Sequence, residues 1–253
     1  MANLKNISAV ERTFKILEQL SQVSSTSLED LARTSHLAKP TVYRFLMTLK
    51  ELGYVKKDEG DRWFLTMKLF SIGSRALDHI QLPNVARPIC EKLSEKMGET
   101  VHMGIVDENE ALYVVKIESR YTIRMYSRVG KHIPLYCTAI GKVLLAYTEE
   151  KKQKQIIQEL KLVPFTPHTI KAKKQLLSEL VEIRNNGYAQ DREEHEEGIT
   201  CIAAPIFDST GGVVAAISVS WPVFRFSTEQ LEHNIKEIRE AALELSRILG
   251  YLS

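Results

Sequence analysis

The sequence predicts an α+β fold: a small domain of helices with one hairpin, a connecting helix, and a larger domain built on an antiparallel sheet. Between residues 8 and 53, apolar side chains recur at steps of three and four, which is the spacing of amphipathic helices. Between residues 100 and 127, and again between 198 and 221, apolar runs of strand length are joined by short polar turns. Such runs are typical of β-hairpins, whose strands are antiparallel.

Two short helices are predicted to open the chain. Ser8-Ala-Val-Glu11 is typical of a capping box, in which side chains satisfy the first free amides of a helix. The residues of this first helix that are predicted to be buried are Val10, Phe14, Leu17 and Leu20. Ser27-Leu-Glu-Asp30 is a similar start for the second helix, and residues 34–37 form a tight turn after it. Helices joined by such a turn indicate a helix-turn-helix, whose second helix is the reader.

The predicted reader helix lies between Lys39 and Gly53. Pro40 suits the first turn of a helix, and Gly53 suits the left-handed position just past its end. Its predicted apolar face consists of Val42, Phe45, Leu46, Leu49 and Leu52. The opposite face carries Lys39, Thr41, Tyr43, Arg44 and Thr48. With Pro40, these residues are predicted to contact DNA, because such side chains can meet phosphates and base edges in a major groove. An ordinary amphipathic surface helix is the alternative.

A β-hairpin is predicted over residues 54–65, with a wing tip at 56–61 whose Lys56 and Lys57 can touch the phosphate backbone. Three helices and a hairpin make residues 1–65 a winged helix-turn-helix, and double-stranded DNA its expected partner. A winged-helix module that binds proteins is the alternative. Residues 66–80 are predicted as a linker helix. This helix and the first helix are candidate dimer surfaces, unless they pack on their own domain.

The second domain is predicted to span residues 81–253. It begins with a helix that has Pro88 in or near its first turn, and Ser227 is predicted to cap its last helix. The predicted strands are 101–105, 112–117, 123–127, 198–207 and 213–221. The predicted helices between the first and last are 139–147, 149–160 and 173–185.

A ligand pocket is predicted in this second domain. Ser218 and Ser220 fall on one face of an apolar strand, where buried hydroxyls need partners. Cys201 in the facing strand and Asp191 add polar groups nearby. The free amides of the helix that follows Thr138, which suit a carboxylate, are those of Ala139, Ile140 and Gly141. These groups indicate a small polyhydroxylated acid, although both serines could instead bond to neighbouring backbone.

Catalytic and metal sites are not expected. The charged run 191–197 is interpreted as a solvated loop rather than a carboxylate or metal site. A thiol nucleophile, Cys137 or Cys201 with His102 or His195 as base, is an alternative that the spacing does not favour. His102, in a strand pattern, is interpreted as a structural residue. No cofactor is expected.

Composition favours a cytoplasmic protein without a membrane partner. The chain has 253 residues, 44% hydrophobic and 26% charged, which is ordinary for globular proteins. No apolar run approaches the roughly 20 residues of a membrane span, and the N-terminus lacks the apolar core of a secretory signal. Three scattered cysteines argue against a disulfide scaffold. A net charge of +2 means that nucleic-acid binding requires a local concentration of positive charge.

Several segments resemble the IclR family of bacterial transcription regulators, in particular repressors of sugar-acid catabolism. They are TVYRFL (41–46), LTMKLF (65–70), IRMYSRVG (123–130), PLYCTAIGK (134–142) and EEGITCIAAP (196–205). The resemblance implies a winged helix-turn-helix, a linker helix and a GAF-like effector domain. It implies an effector carboxylate on the amides of Ala139 and Ile140. The implied side-chain contacts are Asp191, Cys201, Ser218 and Ser220. Met125 is also predicted to contact the effector.

The same resemblance implies how such a protein works. Family members bind operator DNA as homodimers or dimers of dimers, and a small effector alters their affinity for it. A repressor relieved by a keto sugar acid such as 2-keto-3-deoxygluconate is therefore expected. An activator, or a regulator that needs another small carboxylate as co-repressor, is the alternative within the same class.

Overall fold

The structure is a computed structural model that describes residues 7–72, 81–122 and 125–251. The chain divides into two compact units, Met1–Ile80 and Gln81–Ser253. The elements described in the first unit are α1 (Ser8–Ser21), α2 (Leu28–Ser35), α3 (Lys39–Glu51), β1 (Val55–Lys57) and β2 (Trp63–Leu65). β1 and β2 pair antiparallel, with Val55 opposite Leu65. This arrangement confirms the predicted helix-turn-helix and its hairpin.

One apolar core holds the first unit together. Its fully buried side chains come from all three helices and both strands, and they include Ile16, Leu31, Val42, Leu46, Val55 and Trp63. The start of α2 is as predicted, because the Ser27 hydroxyl accepts a hydrogen bond from the amide of Asp30 at 3.1 Å. Gly53 follows α3 with φ of +79°, the left-handed conformation expected there.

Three predictions for the first unit are wrong in detail. Ile7 holds the N-cap position of α1, with no side-chain capping bond, so Ser8 does not open a capping box. Val10 and Phe14 are 49% and 56% exposed, and Leu52 is 52% exposed. The core of this unit is contacted through Ile16, Leu17 and Leu20 of α1 instead. The apolar periodicity of α1 located its apolar side, but it did not show which part of that side is buried within this unit.

The predicted linker helix lies only partly within the described residues. Residues 68–72 are helical. The rest of the prediction, residues 73–80, lies outside the described part of the chain.

The second unit contains, within its described residues, a six-stranded antiparallel sheet of order β5-β4-β3-β8-β7-β6. Its strands are β3 (Thr100–Asp107), β4 (Glu110–Ile117), β5 (His132–Ile133), β6 (Ala189–Arg192), β7 (Ile199–Phe207) and β8 (Val213–Pro222). Its helices are α4 (Gln81–Met97), α5 (Ala139–Tyr147), α6 (Glu150–Glu159), α7 (Lys173–Asn186) and α8 (Leu231–Ile248). The predicted α+β class with an antiparallel sheet is confirmed.

Each face of this sheet is covered by helices. Helices α4 and α8 pack on one face, where Met103, Ile217 and Leu245 are fully buried. Helices α5, α6 and α7 form the second core with the other face, to which Ala203 and Ala216 belong. The start of α5 therefore lies against the sheet, which is where the predicted ligand site falls.

Four predictions for the second unit need correction. Pro88 lies inside α4 rather than in its first turn, because the helix already begins at Gln81. Ser227 makes no side-chain capping bond, since a short 3₁₀ turn, Thr228–Gln230, precedes α8. Residues 125–127 are not a strand, and 123–124 lie outside the described residues. The strand that pairs with β4 on the side away from β3 is β5. Strand β6 was not predicted, since it falls within a polar, charged stretch.

Candidate functional site

The predicted DNA-contacting residues of α3 share its outer side. Ala38 holds the N-cap position, and Pro40 lies in the first turn as predicted. Lys39, Tyr43, Arg44 and Thr48 are exposed, and Thr41 is half-buried. The helix thus presents hydroxyls and cations on the side opposite to its buried residues. Their role in DNA binding stays a prediction.

A groove beside α3 brings in a residue that sequence reasoning missed. Thr41, Arg44 and Thr48 line it together with Arg12 and Thr13 of α1. Arg12 and Arg44 therefore bring two positive charges to one groove, in a chain whose net charge is only +2. No sequence pattern could have paired them, because they belong to different helices and come together only in the folded unit.

The two lysines of the hairpin differ in their surroundings. The ammonium of Lys57 lies 2.6 Å from the carboxylate of Asp61 and 5.6 Å from the centre of the Trp63 ring. Lys56 is exposed. Arg62 donates hydrogen bonds to the hydroxyl and carbonyl of Ser25, which tie the hairpin to the segment before α2. Lys39 is paired with Glu29, but exposed pairs are weak and do not keep a lysine from a phosphate.

A cavity in the second unit collects all seven residues that were predicted to contact an effector. They are Met125, Ala139, Ile140, Asp191, Cys201, Ser218 and Ser220. Additional polar or charged side chains in its wall are those of His102, Tyr113, Tyr126, Ser127, Lys131, Thr138, His195 and Glu196. The empty space, including the part open to solvent, is about 550 Å³, of which about 50 Å³ admits the centre of a water molecule. The cavity is therefore narrow, and a sugar acid requires it to widen.

The start of α5 supplies backbone donors to this cavity. Thr138 is the N-cap, and its hydroxyl accepts from the amide of Gly141 at 3.1 Å and donates to the carbonyl of Pro134 at 2.7 Å. The amide of Lys142 bonds to the carbonyl of Thr138, which is the first bond of the helix. The amides of Ala139 and Ile140 precede that bond, so they remain available to an anion, which the helix dipole also favours.

Replacing Thr138 with alanine is expected to destabilise the protein by about 1 kcal/mol, because the start of α5 loses its side-chain cap. Urea denaturation followed by circular dichroism measures this change. Thr148→Ala is the matched control, since the hydroxyl of Thr148 only bonds back to the carbonyl of Leu144 at the other end of α5. Equal stabilities of the two variants would contradict the capping role of Thr138.

A chain of polar contacts crosses the sheet side of the cavity. The thiol of Cys201 donates to the hydroxyl of Ser220 at 3.1 Å, and that hydroxyl lies 3.4 Å from Nδ1 of His102. Nε2 of His102 lies 2.7 Å from the hydroxyl of Ser127. Burial, reinforced by Lys116 and Lys131, lowers the pKa of His102 to about 3. The imidazole is therefore neutral and can donate through only one nitrogen.

His102 and Tyr113 are cavity residues that sequence reasoning did not assign to the site. Their rings stack with centroids 4.5 Å apart. His102 reaches the cavity because β3 pairs with β8 in a register that places it opposite Ser218. A hairpin pattern predicts neighbours along the chain, whereas this pairing joins strands that are far apart in sequence.

Asp191 is buried, so the predicted solvated loop at 191–197 is wrong for part of its length. Asp191 and Glu194 are 3% and 6% exposed, whereas Glu196 and Glu197 are exposed. Asp191 lies in β6 opposite Cys201, and its carboxyl accepts from the amide of Glu194 at 2.8 Å. Burial raises the pKa of Asp191 to about 7. Near neutral pH this group is therefore partly protonated and can both donate and accept.

Lysines frame the loop that closes the cavity on its other side. The ammonium of Lys116 donates to the carbonyls of Met125 at 3.0 Å and Ser127 at 2.7 Å, which holds that loop against β4. Lys131 lines the cavity itself. Lys131, the free helix amides and several hydroxyls suit a small anion that carries hydroxyl groups, whereas the acidic side chain of Glu196 in the same wall opposes an anion.

The cysteines are poorly suited to nucleophilic catalysis. Burial raises the pKa of both Cys137 and Cys201, so each stays a thiol near neutral pH. Among the described residues, no group of three or more histidine, cysteine, aspartate or glutamate side chains is placed to hold a metal ion. The described part of the chain also contains no helix that is both long and apolar enough to span a membrane.

Two family models match the chain. The model described as "IclR helix-turn-helix domain" matches residues 9–59, and the one described as "Bacterial transcriptional regulator IclR C-terminal" matches residues 74–247. The chain is 42% identical to the HTH-type transcriptional regulator KdgR of Escherichia coli K12, over 97% of this chain and 94% of the relative. The match thus extends over both units.

Solved structures agree with these matches. The structure of Thermotoga maritima IclR superposes with a TM-score of 0.82 at 34% identity, covering 97% of this chain and 100% of that one. The C-terminal domain of E. coli KdgR matches with a TM-score of 0.62 at 39% identity, covering 68% of this chain and 99% of that one.

Proposed function

Because the chain belongs to the IclR family of bacterial transcriptional regulators and is a DNA-binding repressor of that family, we propose that it controls sugar-acid catabolism. A keto sugar acid such as 2-keto-3-deoxygluconate binds the cavity of the second unit and releases the operator. The repressor works in the cytoplasm. The observation that carries the choice of effector is the pairing of free α5 amides with buried hydroxyls in one narrow cavity.

In this proposal, each end of the sugar acid meets a different wall. The carboxylate accepts hydrogen bonds from the amides of Ala139 and Ile140, as anions do at helix starts. The hydroxyls bond to the side chains of Asp191, Ser218 and Ser220, which line the opposite wall of the cavity. A ligand with a carboxylate at one end and hydroxyls at the other is thus preferred to a plain carboxylate.

Calorimetric titration of the full-length protein tests the proposed effector. 2-Keto-3-deoxygluconate is expected to bind, and the double variant Ser218→Ala/Ser220→Ala to bind it at least about tenfold more weakly, since each lost hydrogen bond is worth about 1 kcal/mol. Glycerate, a shorter hydroxy acid, is the comparison ligand and is expected to bind weakly. Absence of 2-keto-3-deoxygluconate binding at millimolar concentration would contradict the proposed effector.

Effector affinity is expected to fall as the pH rises above about 7. The pKa of Asp191, raised to about 7 by burial, means that the carboxyl becomes charged in this range and repels an anionic ligand. One linked proton corresponds to a change of up to about tenfold per pH unit. Calorimetry between pH 6 and 9 measures this slope, and Asp191→Asn is expected to abolish it. An affinity of the unmodified protein that does not change across this range would contradict the prediction.

A homodimer, or a dimer of dimers, is proposed as the DNA-binding form. Ile7, Val10 and Phe14 are exposed along one side of α1, and Met67 and Phe70 are exposed in the segment after β2. Apolar side chains grouped in this way favour an interface, and paired reader helices add the binding energies of two half-sites. Sedimentation equilibrium of the protein and of Phe14→Glu tests this proposal, since the charge is expected to weaken association.

Release is proposed to act through the spacing of the two reader helices. The ligand closes the strands and loop around the cavity. The change passes to residues 66–80, the segment predicted as the linker, so that the readers no longer match the operator half-sites. Small-angle scattering of the dimer with and without 2-keto-3-deoxygluconate measures the separation. An unchanged scattering profile at saturating ligand would contradict this mechanism.

A further inference from the structure

Lys142 is a fully buried lysine at the end of the first turn of α5. Its side chain is 0% exposed. The ammonium donates to the carboxylates of Glu179, on α7, and of Glu194, the latter at 2.5 Å, and to the carbonyl of Gln190 at 2.7 Å. All three of its hydrogens thus have acceptors, which a buried ammonium requires. This ion cluster joins α5, α7 and the segment around β6.

Glu194 connects this cluster to the cavity. Its amide donates to the carboxyl of Asp191 at 2.8 Å, while its carboxylate accepts from Lys142. Its carbonyl accepts from the hydroxyl of Thr169 at 2.6 Å, which fixes the segment from a second side. Among the described residues, neither Lys142 nor Glu194 lines the cavity, although Asp191 does.

A buried ion cluster costs free energy, because its charged groups lose their contacts with water. Apolar side chains of similar volume often give equal or greater stability, so its presence calls for a reason other than stability. Here the cluster spans the two walls that the proposed effector contacts, the start of α5 and the Asp191 wall. Lys142 lies three residues after Ala139 and two after Ile140 on the same short helix.

We propose that Lys142 is a positioning residue of the effector site, which through Glu194 holds the carboxyl of Asp191 at a fixed place relative to the α5 amides. This inference rests on the proposed function. The tether keeps the two ends of the site at the separation that one small acid bridges. Lys142 acts without touching the ligand.

Charge and geometry can be separated because Glu194 has a conservative substitute. Burial and the negative charge of Glu194 raise the pKa of Asp191, while the Glu194 amide and Lys142 lower it. Glu194→Gln keeps an oxygen for Lys142 but removes the negative charge. Other titratable or charged groups near Asp191 are Tyr113, Lys131, Cys137, His195, Glu196 and Cys201. Neither Glu194→Gln nor Lys142→Met replaces any of these residues. Both variants do change the charge near Cys137, whose pKa burial raises and which stays a thiol near neutral pH.

The test compares Lys142→Met and Glu194→Gln in the full-length protein. Lys142→Met breaks the tether and is expected to weaken 2-keto-3-deoxygluconate binding by about tenfold or more, since binding groups must be held within about 0.5 Å. Glu194→Gln keeps the tether and is expected to stay within about threefold of the unmodified protein, with its pH profile displaced to lower pH. Lys154→Met, which removes an exposed lysine paired with Glu150 on α6, is the matched control and is expected to change neither quantity.

Two readouts without ligand accompany the titrations. Carbon-13 NMR follows the titration midpoint of the Asp191 carboxyl, whose signal is assigned because it is absent from Asp191→Asn. This midpoint is expected to fall in Glu194→Gln. Hydrogen exchange of peptides covering 189–198 is expected to accelerate in Lys142→Met while exchange in β8 stays unchanged. These readouts separate the two proposals. If the unmodified protein binds no 2-keto-3-deoxygluconate, the proposed effector fails, and these readouts still decide whether Lys142 holds Asp191.

Specific results would overturn the positioning role. A folded Lys142→Met with unchanged effector affinity, or with unchanged exchange at 189–198, would contradict it. If Lys142→Met does not fold, Glu194→Ala decides, because it removes the carboxylate that Lys142 holds and keeps the amide that donates to Asp191. Unchanged effector affinity and unchanged exchange at 189–198 in Glu194→Ala would contradict the positioning role.

Discussion

Replacing Arg44 with alanine is expected to weaken operator binding by about 1–3 kcal/mol if the guanidinium contacts a base, the loss typical of one base contact. Arg44 is exposed on α3 and lines the groove that it shares with Arg12. We therefore expect its guanidinium to enter a major groove beside the hydroxyls of Thr41 and Thr48. A gel-shift titration at a stated salt concentration measures the loss, because affinity for DNA depends steeply on salt.

Arg247→Ala is the matched control for this experiment. Arg247 is also exposed, but it lies on α8 in the second unit, so the variant removes the same charge far along the chain from the reader helix. Its operator affinity is expected to match that of the unmodified protein. Equal affinities of Arg44→Ala and Arg247→Ala would contradict the assignment of α3 as the reader.

Replacing Gly141 with alanine is expected to destabilise the protein by about 3 kcal/mol and to abolish effector binding, since overpacking in a rigid site costs about 1–3 kcal/mol. A Cβ at this position would lie 2.4 Å from the carbonyl oxygen of Pro134 and 2.6 Å from both the Cα of Leu135 and the hydroxyl of Thr138. Two of these atoms are backbone, so relief requires the start of α5 to move. Urea denaturation and calorimetric titration measure the two effects.

Gly212→Ala is the control for Gly141. Gly212 lies in the turn between β7 and β8, where a Cβ would come no nearer than 3.4 Å to another atom. This variant is expected to change stability by less than about 0.5 kcal/mol, as for ordinary surface substitutions. If Gly141→Ala is as stable as Gly212→Ala and still binds the effector, the close packing at the start of α5 has no part in the site.

The elements that the sequence predicts well are those whose ends carry local signals. Thr138 opens α5 and Gly187 closes α7 where expected, because caps depend on a few neighbouring residues. The cavity residues on β7 and β8 could also be predicted from the sequence, since strand alternation places Ser218 and Ser220 on one face.

The features that escaped prediction depend on contacts between distant segments. Strand β6 was missed because a charged run does not look buried, yet pairing with β7 buries Asp191 and brings Glu194 to Lys142. His102 lines the cavity because the pairing of β3 with β8 places it opposite Ser218. Arg12 of α1 lines the same groove as residues of α3, although the two helices are separate in sequence. Each of these requires knowledge of which elements lie side by side, which a single sequence does not encode locally.

A gel-shift titration on DNA upstream of the protein's own gene and neighbouring operons, with and without 2-keto-3-deoxygluconate, tests the central claim most directly. At a fixed, stated salt concentration, tight binding that is lost on adding the sugar acid is the predicted result. Binding that strengthens with the sugar acid would reveal a co-repressor and contradict the proposed release. Operator binding that is unchanged by the sugar acid would contradict the proposed effector. Absence of binding to any of these fragments would contradict control of these genes by the protein.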